Sequence, residues 1–486
     1  MDYSLNPEDS FLPIEYMGKW WLPENEEKKR FGNVVITPKE NLYRLNLLGT
    51  FEESPLMMGN KYSCINGIVA QGKGITIFDA LCLGCNTSNF NDTDYGNTAI
   101  SFSEMWIGPG YFNSKEEVLF ESYSFGINNL EAWHNQLNFH TDFNQCSIKY
   151  DHPNTLPLFE DDYVTISFGY ANKVNTSASK ASYEQGARIS IKSKQGKMPF
   201  YGNNQSFQFY SDLIYSFFGL LIGVCPFMFD CIGVAQSAKI VNGQLEQQEE
   251  TYTRLWHRFL PREMSKKVTF MDIHFPYEFM KEELQTTISR FAEQYKSIDG
   301  FGGFVFKLVN SQQLHQYDNS SLPEMYFIFE GVMTALYKAE SNKQHGILEP
   351  LDEFEKKRSR VLATCPKDLI SWLGKKLSPY PVTKDKIAAA FSISTEVFGY
   401  ISEQQYKQIF NYIKKSRDLY SHGSPERIEN WELYIPITIW MRQLITALIL
   451  NKCDCKTNVV KICYEHNHIN NELRHKLPML LSTLEN

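Results

Sequence analysis

The chain has 486 residues, of which 43% are hydrophobic and 14% aromatic, and its formal net charge is −8. This length allows two or three domains with ordinary hydrophobic cores. The negative charge excludes a protein that holds nucleic acid through a global basic field, so any RNA contact must come from a local basic patch.

The N-terminus and the cysteines predict a cytoplasmic protein. The first residues are polar and acidic, without the basic and apolar regions of a signal peptide. The ten cysteines are scattered, which is typical of free thiols in a reducing compartment. The most membrane-like stretch, Leu213 to Phe229, is short and contains Pro226. It predicts a buried helix that runs into a turn, and no membrane partner is expected.

The first 205 residues are predicted to form a β-rich N-terminal domain with a sensor or regulatory role. Strand-forming residues occupy Val34 to Leu48 on both sides of a turn. Two later strands, Tyr163–Tyr170 and Ala187–Ile191, are expected to be joined by a long polar hairpin loop, Asn172–Gly186. Closely spaced short strands of this kind favour a sandwich or a barrel-like sheet.

Residues 206–318 are predicted to be a mixed α/β part of the N-terminal region. Within them, Phe207–Phe218 has helical spacing, Lys266–Ile273 has the pattern of a strand, and Tyr277–Tyr295 has that of an amphipathic helix. Residues 319–486 have helical patterns throughout and predict an all-α domain. The predicted fold class is therefore α+β and multidomain, with a β-rich domain followed by a helical bundle.

The helix expected over Ser402–His422 carries the candidate chemistry. It begins with a capping-box pattern and stops at Gly423. Arg417 falls on the apolar stripe of this helix, and an arginine directed at a core face is costly unless it is paired or faces a cleft. The stripe itself consists of Tyr406, Ile409, Phe410, Ile413 and Tyr420.

Arg417 and His422 lie five positions apart, which is roughly 140° around a regular helix. They do not converge on one atom from such a helix. Either the last turn unwinds before Gly423, or a second copy of the helix completes the site, as in a twofold dimer. Asp418 shares a face with His422 and would orient the imidazole and fix its tautomer. The helix C-terminus favours the protonated imidazole, which suits a general acid.

An Arg-x-x-x-x-His pattern is loose, so on its own it also fits a structural arginine and an uninvolved histidine. The place of Arg417 on the apolar stripe favours a functional pair. Basic residues nearby would then hold RNA phosphates, although a solvated helix face also explains them. These residues are Lys356, Lys357, Arg358, Arg360, Lys375, Lys376, Lys414 and Lys415.

A metal site near the C-terminus is the other candidate. Cys453, Cys455, Cys463 and His466 have the residue types of a zinc site, although Cys-x-Cys is less typical than Cys-x-x-Cys. An unliganded C-terminal segment is the simpler explanation, so no metal and no cofactor are expected.

The two ends of the chain resemble one protein family. The sequence from Arg417 through Asp418 to His422 resembles the Arg-polar-x-x-x-His motif of HEPN ribonucleases, with Asp418 at the polar position. Three segments near the start resemble the opening of the N-terminal domain of ApeA-type anti-phage proteins. These segments are Gly18–Pro23, Arg30–Ile36 and Leu45–Phe51.

This resemblance implies a metal-independent endoribonuclease of abortive-infection defence. A ribose 2′-OH would attack the adjacent phosphate and leave a 2′,3′-cyclic phosphate. His422 would act as general acid or base, Arg417 would stabilise the charge of the transition state, and Asp418 would support them. The resemblance also implies a homodimer or higher homo-oligomer through the helical domain and a phage-derived trigger or inhibitor. Host RNA would be the substrate, with transfer RNA as the preferred hypothesis.

A second hypothesis comes from another class of protein. The same resemblance also fits an inactive HEPN-like domain that serves as a dimerising or nucleotide-binding module. The β-rich domain would then sense a carbohydrate or protein ligand. Incubation with total RNA in EDTA separates the hypotheses, because only the nuclease cuts the RNA.

Overall fold

The structure is a computed structural model. It describes residues 6–51, 59–70, 72–86, 96–136, 139–142, 147–150, 155–177, 180–241, 244–257, 268–311, 320–341, 351–370, 373, 383–422 and 431–483. Within these ranges, only the backbone is described for 85–86, 139–142, 147–150, 172–177, 180–184, 237–241, 244–249, 337–341, 351–355, 383–385, 421–422 and 431.

The chain divides into two compact units. The N-terminal unit comprises Met1–Glu131, Asn135–Tyr215 and Pro226–Lys267, and the helical unit comprises Ala132–His134, Ser216–Cys225 and Val268–Asn486. The predicted fold class is confirmed, because a β-rich N-terminal region precedes a helical C-terminal region. The domain boundaries expected after residues 205 and 318 stay predictions.

The N-terminal unit contains a closed β-barrel. Within the described residues, six antiparallel strands follow each other around it in the order β1-β2-β3-β6-β5-β4. The barrel closes because β5 pairs with β4 on one side, while its C-terminal half pairs with β6, with Leu81 opposite Ser101. The strands are β1 (Ile14–Trp21), β2 (Arg30–Thr37), β3 (Leu42–Leu48), β4 (Lys61–Val69), β5 (Gly74–Asn86) and β6 (Asn97–Ser101).

The barrel core is filled by every second side chain of its strands, which explains why apolar residues alternate along the sequence. Along β2 and β3, buried and exposed residues alternate, so Val34, Ile36, Leu45 and Leu47 point into the core. The predicted turn between these strands is confirmed as a 3-10 turn that ends at Asn41, whose φ of 53° is left-handed.

The sheet continues beyond the barrel through β7, which pairs with the first half of β5. From there the order is β7-β17-β16-β9-β14-β13-β12. Two short pairs, β8 with β15 and β10 with β11, lie outside it. The strands are β7 (Glu104–Gly108), β8 (Leu119–Phe120), β9 (Ser122–Ile127), β10 (Phe139–Asp142), β11 (Ser147–Tyr150), β12 (Leu156–Glu160), β13 (Val164–Ser177), β14 (Lys180–Ser193), β15 (Met198–Pro199), β16 (Met228–Val241) and β17 (Gln244–His257).

The long hairpin loop predicted at Asn172–Gly186 is wrong. Strands β13 and β14 pair in unbroken register, from Val164 opposite Ser193 to Ser177 opposite Lys180. Most of the expected loop is therefore strand. The residues of this segment are mostly polar and show no apolar alternation, so the sequence does not reveal these strands.

The described helices are α1 (Leu130–His134), α2 (Phe207–Ile222), α3 (Tyr277–Met280), α4 (Leu284–Ser297), α5 (Phe301–Asn310), α6 (Ser321–Ser341), α7 (Leu351–Thr364), α8 (Thr383–Val397), α9 (Glu403–His422), α10 (Trp431–Lys452), α11 (Thr457–His466) and α12 (His468–Ser482). The helix predicted from Phe207 is confirmed as α2.

The strand predicted at Lys266–Ile273 is wrong for its described part. Phe270–Asp272 forms a 3-10 turn. The Asp272 carboxylate accepts hydrogen bonds from the backbone N–H of Thr269, at 3.1 Å, and from its hydroxyl, at 2.7 Å. This local bonding competes with strand pairing. The amphipathic helix expected after it is split into α3 and α4.

Helix α10 is the centre of the helical unit. It packs against α6, α8, α11 and α12. Within the described residues, its segment Glu432–Lys452 is the one helix long and apolar enough to cross a membrane, and 83% of its most apolar window is buried inside the structure. A core helix of a folded domain has this burial.

Candidate functional site

Helix α9 presents the candidate residues, and its start is fixed by a capping box. The backbone N–H of Gln405 donates to Ser402 Oγ at 3.2 Å, and the backbone N–H of Ser402 donates to Gln405 Oε1 at 3.0 Å. This reciprocal pair satisfies two N–H groups that the helix itself leaves free. The predicted start of the helix is therefore confirmed.

The predicted apolar stripe of α9 is confirmed for its first four residues, and the prediction for the fifth is wrong. Tyr406, Ile409, Phe410 and Ile413 are buried, whereas 56% of Tyr420 is exposed. Helical spacing gives the side of the helix on which a residue lies. It does not give how much of that side the neighbouring helices cover, and at Tyr420 this cover is incomplete.

Arg417 lies where this cover ends. Its side chain is 28% exposed, and its Nε and Nη2 donate to Asp418 Oδ1 at 3.0 and 2.6 Å. The guanidinium carbon is 5.4 Å from the ring centre of Tyr326 on α6, a cation–π contact. The hydrogen bond to Asp418 raises the pKa of Arg417, so the guanidinium is charged at any physiological pH.

A polar row on α6 supports this arginine. The Tyr326 hydroxyl donates to Glu330 Oε1 at 3.0 Å, and Lys386 Nζ on α8 donates to Thr334 Oγ1 at 2.7 Å. Glu330 acts electrostatically on both Arg417 and Lys386. Burial lowers the pKa of Lys386, while Glu330 opposes that shift.

This row is not predicted above, although the sequence contains a signal for it. Tyr326, Glu330 and Thr334 recur every fourth residue in a helix that is otherwise strongly apolar. Polar groups at that spacing share one helix face. In a buried helix such a face needs partners, and here they are supplied by α8 and α9.

His422 is the last residue of α9, and the helix stays regular up to it. The described backbone therefore does not unwind between Arg417 and His422. The two side chains start roughly 140° apart around the axis. The arrangement in which the last turn unwinds does not match this backbone, and the one completed by a second copy of the helix stays a prediction. The His422 side chain and Gly423 lie outside the described residues.

The carboxylate of Asp418 lies directly beside the guanidinium of Arg417. Its carboxylate is 42% exposed and accepts both described hydrogen bonds from Arg417. Because it also precedes His422 by one helical turn, it is within reach of both residues. Its role toward the imidazole stays a prediction.

Five of the predicted basic residues have exposed side chains. Lys414 and Lys415 are exposed, as are Lys356, Lys357 and Arg360 on α7. Lys375 and Lys376 lie outside the described residues.

The cysteines near the C-terminus are buried thiols. Cys453, Cys455 and Cys463 are at most 1% exposed, and Cys453 Sγ donates to Gln294 Oε1 at 3.7 Å. Burial raises the pKa of Cys455 to about 12. In the part of the chain that the structure describes, no group of three or more His, Cys, Asp or Glu side chains is arranged to hold a metal ion.

Comparison with known proteins gives two family matches. Residues 15–291 match the family described as ApeA N-terminal domain 1, and residues 332–458 match the one described as Apea-like HEPN. The first match covers more than half of the chain, and Arg417, Asp418 and His422 lie inside the second. Comparison with the curated proteins and with the solved structures gives no match.

Proposed function

This chain belongs to the ApeA family and carries an ApeA-like HEPN domain near its C-terminus, and from that premise we propose that it is a metal-independent endoribonuclease. The two family matches identify a HEPN nuclease-type effector of antiviral defence. The finer proposal is that it cuts host RNA in the cytoplasm, with transfer RNA as the favoured substrate, after a phage-derived trigger. Its working form is a homodimer or a higher homo-oligomer through the HEPN domain.

The setting of Arg417 supports the proposal. A guanidinium that only stabilised the fold would be buried among several acceptors, but this one is partly exposed and its described hydrogen bonds go to a single exposed carboxylate. Exposed ion pairs are weak, so a phosphate is able to displace Asp418. Arginine binds phosphate through two parallel hydrogen bonds, a geometry that suits a charged transition state.

In the proposed reaction, the 2′-OH of a ribose attacks the adjacent phosphorus, and the 5′-oxygen of the next nucleotide leaves. His422 accepts or donates the proton in this exchange, which contributes about 10²- to 10⁴-fold in rate. Arg417 stabilises the negative charge on the phosphate oxygens. Asp418 orients the imidazole of His422 one helical turn later in its own chain.

Two copies are needed because one helix does not bring both residues to one phosphate. Arg417 of one copy and His422 of the other would meet across a twofold axis. The exposed Tyr420, between these residues, would then lie in or beside the interface. Its exposure in the single chain fits a helix end that a second copy covers.

The direct test is cleavage by single variants. Arg417→Ala and His422→Ala are expected to lower the cleavage rate by about 10²-fold or more without unfolding the protein. Arg474→Ala and His475→Ala are matched controls, because both residues are exposed on α12. The readout is total RNA incubated with each protein in EDTA, with sequencing of the cyclic-phosphate ends.

Protection of cells against phage is measured with the same variants, so that an enzyme silent without its trigger is still tested. Loss of protection in the two α9 variants but not in the two controls supports the proposal. Cleavage and protection at the parental level by His422→Ala would contradict it.

A second candidate function is an inactive dimerising or ligand-binding module. The Arg417–Asp418 ion pair favours it, because that carboxylate already occupies two guanidinium donors. Such a module leaves RNA intact in every condition. It would also keep its protective effect in the Arg417→Ala and His422→Ala variants.

A further inference from the structure

The outer face of the barrel carries an exposed surface that the ribonuclease proposal does not use. This barrel surface is formed by the apolar side chains of Met17, Phe31, Leu48 and Ile68 together with Lys19 and Arg44. The four apolar residues are between 40% and 63% exposed. They line a shallow recess of about 1110 Å³. Contiguous apolar surface of this kind marks a site of interaction.

The strand register places these residues side by side. Lys19 on β1 lies opposite Phe31 on β2 and opposite Ile68 on β4. The alternate residues of the same strands fill the barrel core, so these side chains have to point outward. Gly18 and Gly32 form part of the floor, where an added Cβ would collide with the backbone of the adjacent strand. The recess is therefore built into the barrel backbone.

Two basic side chains line the recess of the barrel surface, while Glu26 and Glu27 lie in an adjacent recess that also includes Lys19 and Phe31. Lys19 and Arg44 line the recess, and among the described residues no carboxylate lines it. Glu15, at its border, accepts a hydrogen bond from Asn33 Nδ2 at 2.6 Å. In a chain of net charge −8, a basic apolar recess attracts an acidic partner.

Arg44 also has an unused donor. Its Nε is buried and has no hydrogen-bond partner among the described residues. A buried donor without an acceptor costs free energy, and a carboxylate that draws the Arg44 guanidinium out into the recess would remove that cost.

We propose that the barrel surface binds a segment of another protein in which apolar side chains stand next to Asp or Glu. The aliphatic side chains favour protein over RNA, because unpaired bases stack on aromatic rings and Phe31 is the one aromatic residue that lines the recess in the described chain. A second copy of this chain is disfavoured, because a twofold contact would bring Lys19 and Arg44 close to their own copies.

The test starts from a display library of short random peptides selected on the full-length protein. Enriched peptides are expected to combine acidic and apolar residues. The best peptide is then synthesised with a fluorescent label, and its binding is measured by anisotropy. Arg44→Gln and Phe31→Ser are each expected to weaken that binding by roughly tenfold or more. Added salt is expected to weaken it as well.

Leu12→Ser is the matched control, because Leu12 is 58% exposed in the same unit and does not line the recess. It should bind the peptide like the parent. Peptides without acidic residues would overturn the proposal, as would binding that neither Arg44→Gln nor Phe31→Ser changes. An RNA oligonucleotide that displaces the peptide, or a dimer in sedimentation that Phe31→Ser dissolves, would also overturn it. RNA cleavage is not the readout, so this proposal fails separately from the ribonuclease.

Discussion

Each unit of the molecule holds an arginine–aspartate pair, and the two pairs are built differently. In the N-terminal unit, Arg188 Nη1 and Asp230 Oδ2 are 2.7 Å apart, with 9% and 2% of the side chains exposed. Arg188 Nη2 also donates to Ser124 Oγ and to the Asp230 carbonyl oxygen. In the helical unit, Arg417 and Asp418 are 2.6 Å apart but 28% and 42% exposed.

This difference is the one expected if Arg188 is structural and Arg417 serves a substrate, as proposed. The two terminal nitrogens of the Arg188 guanidinium donate to three acceptors, and Arg254 shares the same aspartate at 3.0 Å. Asp230 is held with a left-handed φ of 47°, so backbone and side chain are fixed together. Arg417 contacts one ring and one carboxylate that is itself 42% exposed.

Among the substitutions that test this comparison, Arg188→Ala is expected to have the largest effect. It leaves the buried Asp230 carboxylate without its main partner, so the free energy of unfolding of the N-terminal unit should fall by about 3–5 kcal/mol. Arg417→Ala should change the stability of the helical unit far less, because its pair is exposed to solvent. Urea unfolding of both variants measures this. Equal losses of stability would remove the distinction between the two arginines.

The buried carboxyl group of Glu104 is expected to make the stability of the N-terminal unit depend on pH. Burial raises the pKa of Glu104 to about 7 from 4.5, although the Tyr201 hydroxyl donates to its Oε1 at 2.6 Å. The folded state thus holds the proton more tightly than the unfolded state. Stability from this group should fall as pH rises from about 4.5 to about 7.

Glu104→Gln removes this dependence and keeps an acceptor for Tyr201. Relative to the parent, the variant should gain on the order of 2–3 kcal/mol between pH 5 and pH 8. The quantity measured is the free energy of unfolding at both pH values. Glu24→Gln, an exposed residue, is the control and should track the parent. If the difference between Glu104→Gln and the parent is the same at both pH values, the carboxyl group is not buried in this way.

The smallest expected effect concerns the ring beneath Arg417. Tyr326→Leu removes the cation–π contact and should lower the cleavage rate by roughly 3- to 10-fold through a less well oriented guanidinium. Tyr326→Phe keeps the ring and loses the hydroxyl that bonds Glu330, so it should stay closer to the parent. Single-turnover cleavage and thermal unfolding are measured for both variants. Equal rates in the two would mean that the ring does not position Arg417.

The sequence predicts those parts of the fold that depend on local signals. Helix α9 is predicted well, because Ser402 and Gln405 cap its start and Tyr406 to Ile413 repeat at helical spacing. The turn before Asn41 is local in the same sense. These features depend on interactions within a few residues, so they are present in the sequence itself.

Features that depend on distant partners are not predicted. The closure of the barrel rests on β5 pairing with β6, which no local pattern encodes. The exposure of Tyr420 depends on how much of the end of α9 other segments cover. The contact of Arg417 with Tyr326 joins residues from two helices whose packing the sequence leaves open. The place of Arg417 on the apolar face of α9 is a local feature, and the sequence therefore contains it.

The most direct test of the central claim is a mixing experiment with two inactive variants. Arg417→Ala and His422→Ala chains are co-expressed with different tags, and the mixed oligomers are purified and incubated with RNA. If Arg417 of one copy works with His422 of another, each mixed dimer regains one intact site. Its activity should then reach about half of the parental dimer, while each variant alone stays inactive. Mixed dimers as inactive as the single variants would contradict a site shared between copies.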